Sequence, residues 1–162
     1  MLERGTKAPA FALESTAGES YRLDEGLSQG PVLLVFFKTT CGTCNLAFPY
    51  FNKLRQSYPQ ENWQVWAVSQ DNLEASKRYS ERIGFSFPAL LDGTDWPVSR
   101  AYDPVATPTY YLVDRDGVIV DVNSGFSKDG LNDLSALIAE RLGAETQVIA
   151  PPDDGNPPFR PG

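Results

Sequence analysis

The uninterrupted apolar run VLLVFF, Val32 to Phe37, gives way to a different rhythm in which Leu46, Ala47, Tyr50, Phe51, Leu54 and Tyr58 recur at helical spacing until Pro59. A run without polar residues is the pattern of a strand covered on both faces, and the change of period predicts strand, turn, helix. Pro49 falls inside this helix, where it removes the amide that would bond the Asn45 carbonyl and predicts a kink. WQVWAVS (Trp63 to Ser69) predicts a second strand. DNLEASKRYSERIG predicts a second helix, with Asp71 or Asn72 as its N-cap and Gly84 as its stop. Two strand–helix units in succession imply a parallel sheet.

Further along, a short strand is expected at Ala89 to Leu91 and one helical turn at Val98 to Tyr102. TYYLV and VIVDV then flank DRDG, with Gly117 free to take a positive φ, which is a hairpin signal that adds antiparallel strands to the sheet. Asp114, Asp116 and Asp121 lack the further ligands that a calcium loop at this spacing needs. A last helix is expected from about Gly130 to Leu142, its apolar stripe formed by Leu131, Leu134, Leu137, Ile138 and Leu142. The pattern as a whole is α/β, one domain over residues 1–143. Residues 144–162 hold five of the 13 prolines and no periodicity, so they are expected to form an acidic, proline-rich tail, flexible or loosely docked.

The chain of 162 residues suits a single core. Its 14 basic and 21 acidic residues, a net charge of −7, argue against nucleic acid or an anionic membrane as partner. The opening MLERGTKAPAFALES has no apolar stretch long enough for a signal peptide or a membrane span. The expectation is therefore a cytoplasmic protein, and in that compartment thiols stay mostly reduced.

This changes the meaning of the only two cysteines, Cys41 and Cys44 in KTTCGTC, directly behind the apolar strand. A zinc or iron–sulfur site needs further soft ligands, and the chain has no histidine and no third cysteine; no metal and no cofactor is expected. Buried spectator thiols are the bland alternative. Dithiol chemistry needs what the stretch provides. Cys41, at a helix N-terminus, meets unpaired amides and the positive end of the helix dipole, which favour a nucleophilic thiolate. Cys44, one turn on, can resolve the mixed disulfide, while Gly42 lets a partner backbone approach and Lys38 adds positive potential.

Apolar strand, Cys-Gly-Thr-Cys, proline-bearing helix and then ATPTYYLVDRDGVIV before a hairpin together resemble the thioredoxin fold. With the opening GTKAPAFALES and GESYRLDE, the chain is similar to the TlpA-like branch of the alkyl hydroperoxide reductase/thiol-specific antioxidant (redoxin) superfamily, over about residues 5 to 142. The resemblance implies a thioredoxin-like mixed central sheet with flanking helices and an N-terminal β extension. It also implies a cis Pro108 facing the cysteines, with Thr107 and Thr43 beside the substrate.

The chain departs from the pattern under the pair. Thr40 stands where thioredoxins carry tryptophan, Val35 where they bury an acid, and Ala47 where several TlpA-like reductases place a glutamate. Without a carboxylate to take the proton of Cys44, slower resolution or a water in that role is expected.

The function expected is thiol–disulfide oxidoreduction by Cys41 and Cys44, in the reducing direction. The substrate would be a disulfide-bearing protein or small molecule, and a cellular dithiol such as a thioredoxin system would be the donor. A peroxiredoxin-like peroxide reductase is the rival enzyme, although Lys38 stands where its threonine belongs and no arginine is near in sequence. A redox-switched binding module is the non-enzymatic alternative, in which Phe48, Trp96 and Tyr102 could line a groove beside Pro108; Trp96 is the aromatic candidate for substrate contact.

Overall fold

The computed structural model describes residues 1–162. Its centre is a five-stranded sheet. β3 (Val32–Phe37) is flanked by β4 (Gln64–Ser69) and then β5 (Ala89–Leu91) on one side, and by β6 (Thr109–Val113) and β7 (Ile119–Ser124) on the other. β3, β4 and β5 run parallel, whereas β6 opposes β3 and β7 opposes β6. β3 has the central place because nothing in it needs water, and all six of its residues are fully buried. Its side chains alternate between two cores, as the period of a strand dictates. Leu33, Val35 and Phe37 meet α2 (Gly42–Ser57), α3 (Leu73–Ile83) and α5 (Lys128–Leu142), while Val32, Leu34 and Phe36 meet α1 (Leu23–Gln29) and α4 (Pro97–Tyr102). The N-terminal β extension is a separate hairpin of β1 (Ala12–Glu14) and β2 (Ser20–Arg22).

The helix termini follow their sequences. Asn72 caps α3 by accepting the Ala75 N–H at 2.9 Å, and Gly84 ends it in the left-handed region with φ +79°. Asp71, the other candidate cap, turns away and accepts the Thr39 N–H at 2.7 Å, tying the cysteine loop to the start of α3. Gly117 closes the β6–β7 turn at φ +86°. Asp121 is held by Arg4 and by the Tyr110 hydroxyl, and nowhere does a group of three histidine, cysteine, aspartate or glutamate residues stand together as a metal site. No helix is long and apolar enough to cross a membrane.

α4 sets where the chain re-enters the sheet before β6. The short helix is capped by Asp92, which is 2% exposed and accepts the Val98 N–H at 2.9 Å and the Ser99 N–H at 2.7 Å. Alanine at Asp92 strands two buried donors that a charged acceptor now satisfies. It is expected to destabilise the protein by about 2–4 kcal/mol, read as a lower urea midpoint with unchanged slope.

The sequence predicts a tail that is flexible or loosely docked; in the structure its first part is anchored in the core. Ile149 and Ala150 are buried in the core formed with α2 and α5. Asn132 Oδ1 on α5 accepts both of their N–H groups at 2.9 Å. Tyr58, Ser135 and Gln147 close a ring in which the Tyr58 hydroxyl bonds Ser135, Ser135 donates to the Gln147 carbonyl, and the Gln147 N–H donates to Tyr58. Lys128, itself 4% exposed, donates to Asp154 at 2.5 Å and to the Pro151 carbonyl at 2.9 Å. With Tyr50 also bonded to it, the Asp154 carboxyl is lowered to about 2, the lysine contributing most. Prolines serve this segment because its ordering relies on side-chain donors from the helices and not on a backbone ladder of its own. Beyond Asp154 the chain returns along the body as β9 (Phe159–Arg160), pairing antiparallel with β8 (Phe126–Ser127).

Candidate active site

β3 delivers the chain to Lys38 at the carboxyl edge of the sheet, and α2 begins four residues later. Cys41 is the N-cap of that helix. Its sulfur accepts the Cys44 N–H at 3.0 Å and its thiol donates to the Thr107 carbonyl at 3.2 Å. The first of these contacts and the open end of the α2 dipole face the sulfur where charge develops on deprotonation; the second is given up with the proton. Cys41 is half-buried and Cys44 fully buried, and both are free thiols. Only the first can be met by a substrate in this conformation.

Cys44 lies in the core with Val35, Phe37, Ala47 and Phe48. Burial pushes its thiol well above the ordinary range, and the adjoining Cys41 adds to the shift. No carboxylate stands beneath the pair, because the positions that could carry one hold Val35 and Ala47, each at most 1% exposed. The nearby aromatic cluster includes Phe48 packed on Phe85 with ring centres 4.4 Å apart and on Phe37 at 5.1 Å. The Tyr79 hydroxyl donates to Asn45.

Cys41 opens into a cavity of about 510 Å³, lined on the body side by Lys38, Thr40, Gly42, Thr43 and Thr107. The Thr107–Pro108 peptide bond is cis, the conformation that the resemblance implies, and the Pro108 carbonyl accepts the Gly125 N–H at 2.7 Å. Thus the structure gathers six of the expected site residues, Lys38, Cys41, Gly42, Thr43, Cys44 and Thr107, around one point, with Pro108 next to Thr107.

Trp96 is not among them. It is 42% exposed, its indole N–H donates to the Gln70 carbonyl at 2.9 Å, and it lines a different cavity with Asp71, Leu73 and Leu91. The turn after β5 carries it to the α3 side. Phe48 and Tyr102, the other aromatics considered for a groove, are both fully buried core residues.

Arg160 was not foreseen. It lines the Cys41 cavity together with Pro161 and Gly162, so that two cationic side chains, Lys38 and Arg160, stand around the opening. Sequence separation hid it: the tail reaches the site only because Ile149, Ala150 and Asp154 are docked first. The apolar pair Ile149–Ala150 within a polar, proline-rich stretch was its one local signal.

The model of the AhpC/TSA family matches residues 4–122, which includes the cysteine loop, the cis proline and most of the sheet. The chain belongs to the AhpC/TSA family. Among its relatives, the thiol-disulfide oxidoreductase ResA of Geobacillus kaustophilus is 32% identical over 122 residues, covering 75% of this chain and 69% of the relative. ResA of Bacillus subtilis is 32% identical over 139 residues, 85% of this chain and 76% of the relative. A crystal structure of a Chlorobium tepidum protein assigned as thiol:disulfide interchange protein DsbE superposes with a TM-score of 0.78 at 28% identity, over 88% of this chain and all of that one. The similarity places the chain with the TlpA-like members of the family and confirms the thioredoxin-like sheet.

Proposed function

We propose that this protein is a thiol–disulfide oxidoreductase that reduces disulfides through Cys41 and Cys44. One observation carries the assignment: a half-exposed thiol caps a helix and opens into a polar cavity, with a second thiol buried one turn behind it. The names of the ResA relatives support the same activity. The Cys41 thiolate attacks one sulfur of a substrate disulfide, the S–S bond breaks, and the other sulfur leaves as a thiolate that takes up a proton. Cys44 then attacks the Cys41 sulfur of the mixed disulfide and releases the second thiol. Two electrons have passed to the substrate, the protein holds a Cys41–Cys44 disulfide, and an external dithiol restores it. The partners are therefore a disulfide-bearing substrate, protein or small molecule, and a cellular dithiol donor in a thiol-reducing compartment such as the cytoplasm.

Equilibration of the protein in glutathione mixtures, quenched by alkylation and read by mass, tests this. A single two-electron couple is expected. A potential near about −270 mV supports the reducing direction, one between about −120 and −180 mV makes the protein an oxidant or isomerase, and the absence of a reversible couple overturns the dithiol mechanism.

A peroxidase has one observation in its favour, since Arg160 supplies the arginine that the local sequence lacks. Against it, the position three residues before Cys41, where a peroxidase carries its threonine, holds Lys38. Peroxide consumption at a rate exceeding disulfide reduction would reverse the assignment.

A further inference from the structure

The segment after α5 has two parts that differ in kind. From Gln147 to Asp154 it is an anchor, with Ile149 and Ala150 in the core and the Lys128–Asp154 ion pair beside them. From Gly155 to Gly162 every residue is exposed, and Gly155, at φ +86°, turns the chain out of the anchor. The exposed part nevertheless follows a defined course. The Lys128 N–H donates to the Pro158 carbonyl at 3.0 Å, Ser127 pairs with Phe159 and Phe126 with Arg160, and the Thr43 hydroxyl holds the Pro161 carbonyl.

The surface beneath it is shaped for close approach. A side chain at Gly125 would put its Cβ 2.8 Å from the Arg160 carbonyl oxygen, one at Gly42 would meet the Arg160 guanidinium at 2.9 Å, and one at Gly162 would meet the Thr107 carbonyl oxygen at 2.6 Å. Three glycines, two on the body and one on the tail, thus allow backbone and guanidinium to lie against both sides of the Cys41 opening.

A disulfide reaching Cys41 brings whatever is attached to its sulfurs. A small disulfide fits a cavity of about 510 Å³ with the tail in place. In a polypeptide disulfide the flanking chain has to run past Thr43 or Thr107, where Pro161 and Gly162 now lie. An incoming extended segment could also use the backbone edge of Phe126–Ser127, which β9 occupies. Building on the dithiol assignment, we propose that residues 158–162 are a strap that determines substrate specificity at Cys41. Docked, the strap admits small disulfides; a polypeptide disulfide has to displace it and takes over its contacts with Thr43 and β8. The strap is held by a few hydrogen bonds and buries none of its own side chains, so release leaves the anchored fold intact.

Two variants test this against the unaltered chain: removal of residues 158–162, and the double change Pro158→Gly with Pro161→Gly in the full chain, which gives the undocked strap more backbone freedom and so disfavours docking while keeping Arg160. Pro158 and Pro161 are exposed and contribute nothing to the core. The probes are insulin, as a polypeptide disulfide, and dithionitrobenzoate, as a small one, each mixed with protein reduced beforehand and freed of reductant, and followed as the second-order rate constant of the single reduction in which Cys41 and Cys44 become the disulfide. If the strap is docked in about nine molecules of ten, both variants raise the insulin rate constant, the truncation by about tenfold, and the ratio of insulin to dithionitrobenzoate rises with it. An insulin value that stays unchanged in both variants, with dithionitrobenzoate still reduced, overturns the strap and leaves the dithiol chemistry standing. Failure of all three proteins to reduce dithionitrobenzoate overturns the dithiol assignment and the strap together.

Discussion

Serine in place of Cys41 is expected to abolish disulfide reduction, by at least about a thousandfold, because a hydroxyl at this position is protonated throughout the working range and is a poor nucleophile toward sulfur. The same change at Cys44 should have a different outcome. The Cys44→Ser protein keeps the exposed attacking sulfur, so it should react once and stop as a mixed disulfide of one substrate sulfur per chain, visible by mass and released by dithiothreitol. The asymmetry comes from burial. Cys41 is half-exposed at the mouth of its cavity, whereas Cys44 has no accessible surface and lies behind it against Val35, Ala47 and Phe48. A Cys41→Ser protein should therefore form no mixed disulfide even with excess substrate. Trapping through Cys44 in that variant would mean that the first turn of α2 opens in solution, and the roles of the two thiols would have to be exchanged.

The placement of the two thiols was legible in the sequence because the features that set it are local. A strand without polar residues, a turn and a helix of clear period place Cys41 at a helix start, and the i, i+3 spacing places Cys44 on the inner side of the first turn. The two faces of β3 are likewise visible as the alternation of Leu33, Val35 and Phe37 with Val32, Leu34 and Phe36. Elements with weak local signals were not recovered. α1 has seven residues and its N-cap Arg22 makes no side-chain cap bond. β8 and β9 have two residues each, too few for any period. The tail escaped for a deeper reason: its order depends on donors spread over two helices, Lys53, Lys128 and Asn132, which bond carbonyls and carboxylates far along the chain. Each donor taken alone is an ordinary helix-surface residue. Trp96 shows the opposite error. An exposed tryptophan in a turn-rich segment has the composition of a binding residue, yet its indole serves the Gln70 carbonyl and it lines a cavity separate from that of Cys41.

The absence of a buried acid under the cysteines leads to the second large effect, on the step in which Cys44 resolves the mixed disulfide. Its thiol must lose a proton to attack, and burial among apolar side chains holds its pKa far above the ordinary value. Part of that shift comes from Cys41 and disappears once Cys41 is bound in the mixed disulfide, but the larger part, desolvation, remains. The attacking form is therefore scarce at neutral pH, and its population grows about tenfold for each unit of pH below the pKa. The release rate from a preformed Cys41 mixed disulfide, measured in single turnover, is expected to rise close to tenfold per unit from pH 7 to 9. It should keep rising where an ordinary cysteine, with a pKa of about 8.5, levels off. Glutamate at Ala47 places a carboxylate on the helix turn after Cys44, where it can take the proton in the transition state. It should speed release at pH 7 by about a hundredfold, within the usual range for a positioned base, and flatten the dependence on pH. The carboxylate occupies a site now 1% exposed, so the same variant should be less stable by about 1–3 kcal/mol. Faster chemistry with a weaker fold separates an added proton acceptor from a general loosening around Cys44, which would speed release without flattening its pH dependence. A release rate of the unaltered protein that is already level between pH 7 and 9 would mean that a group or water within reach of Cys44 takes the proton, and that Val35 and Ala47 cost the enzyme nothing.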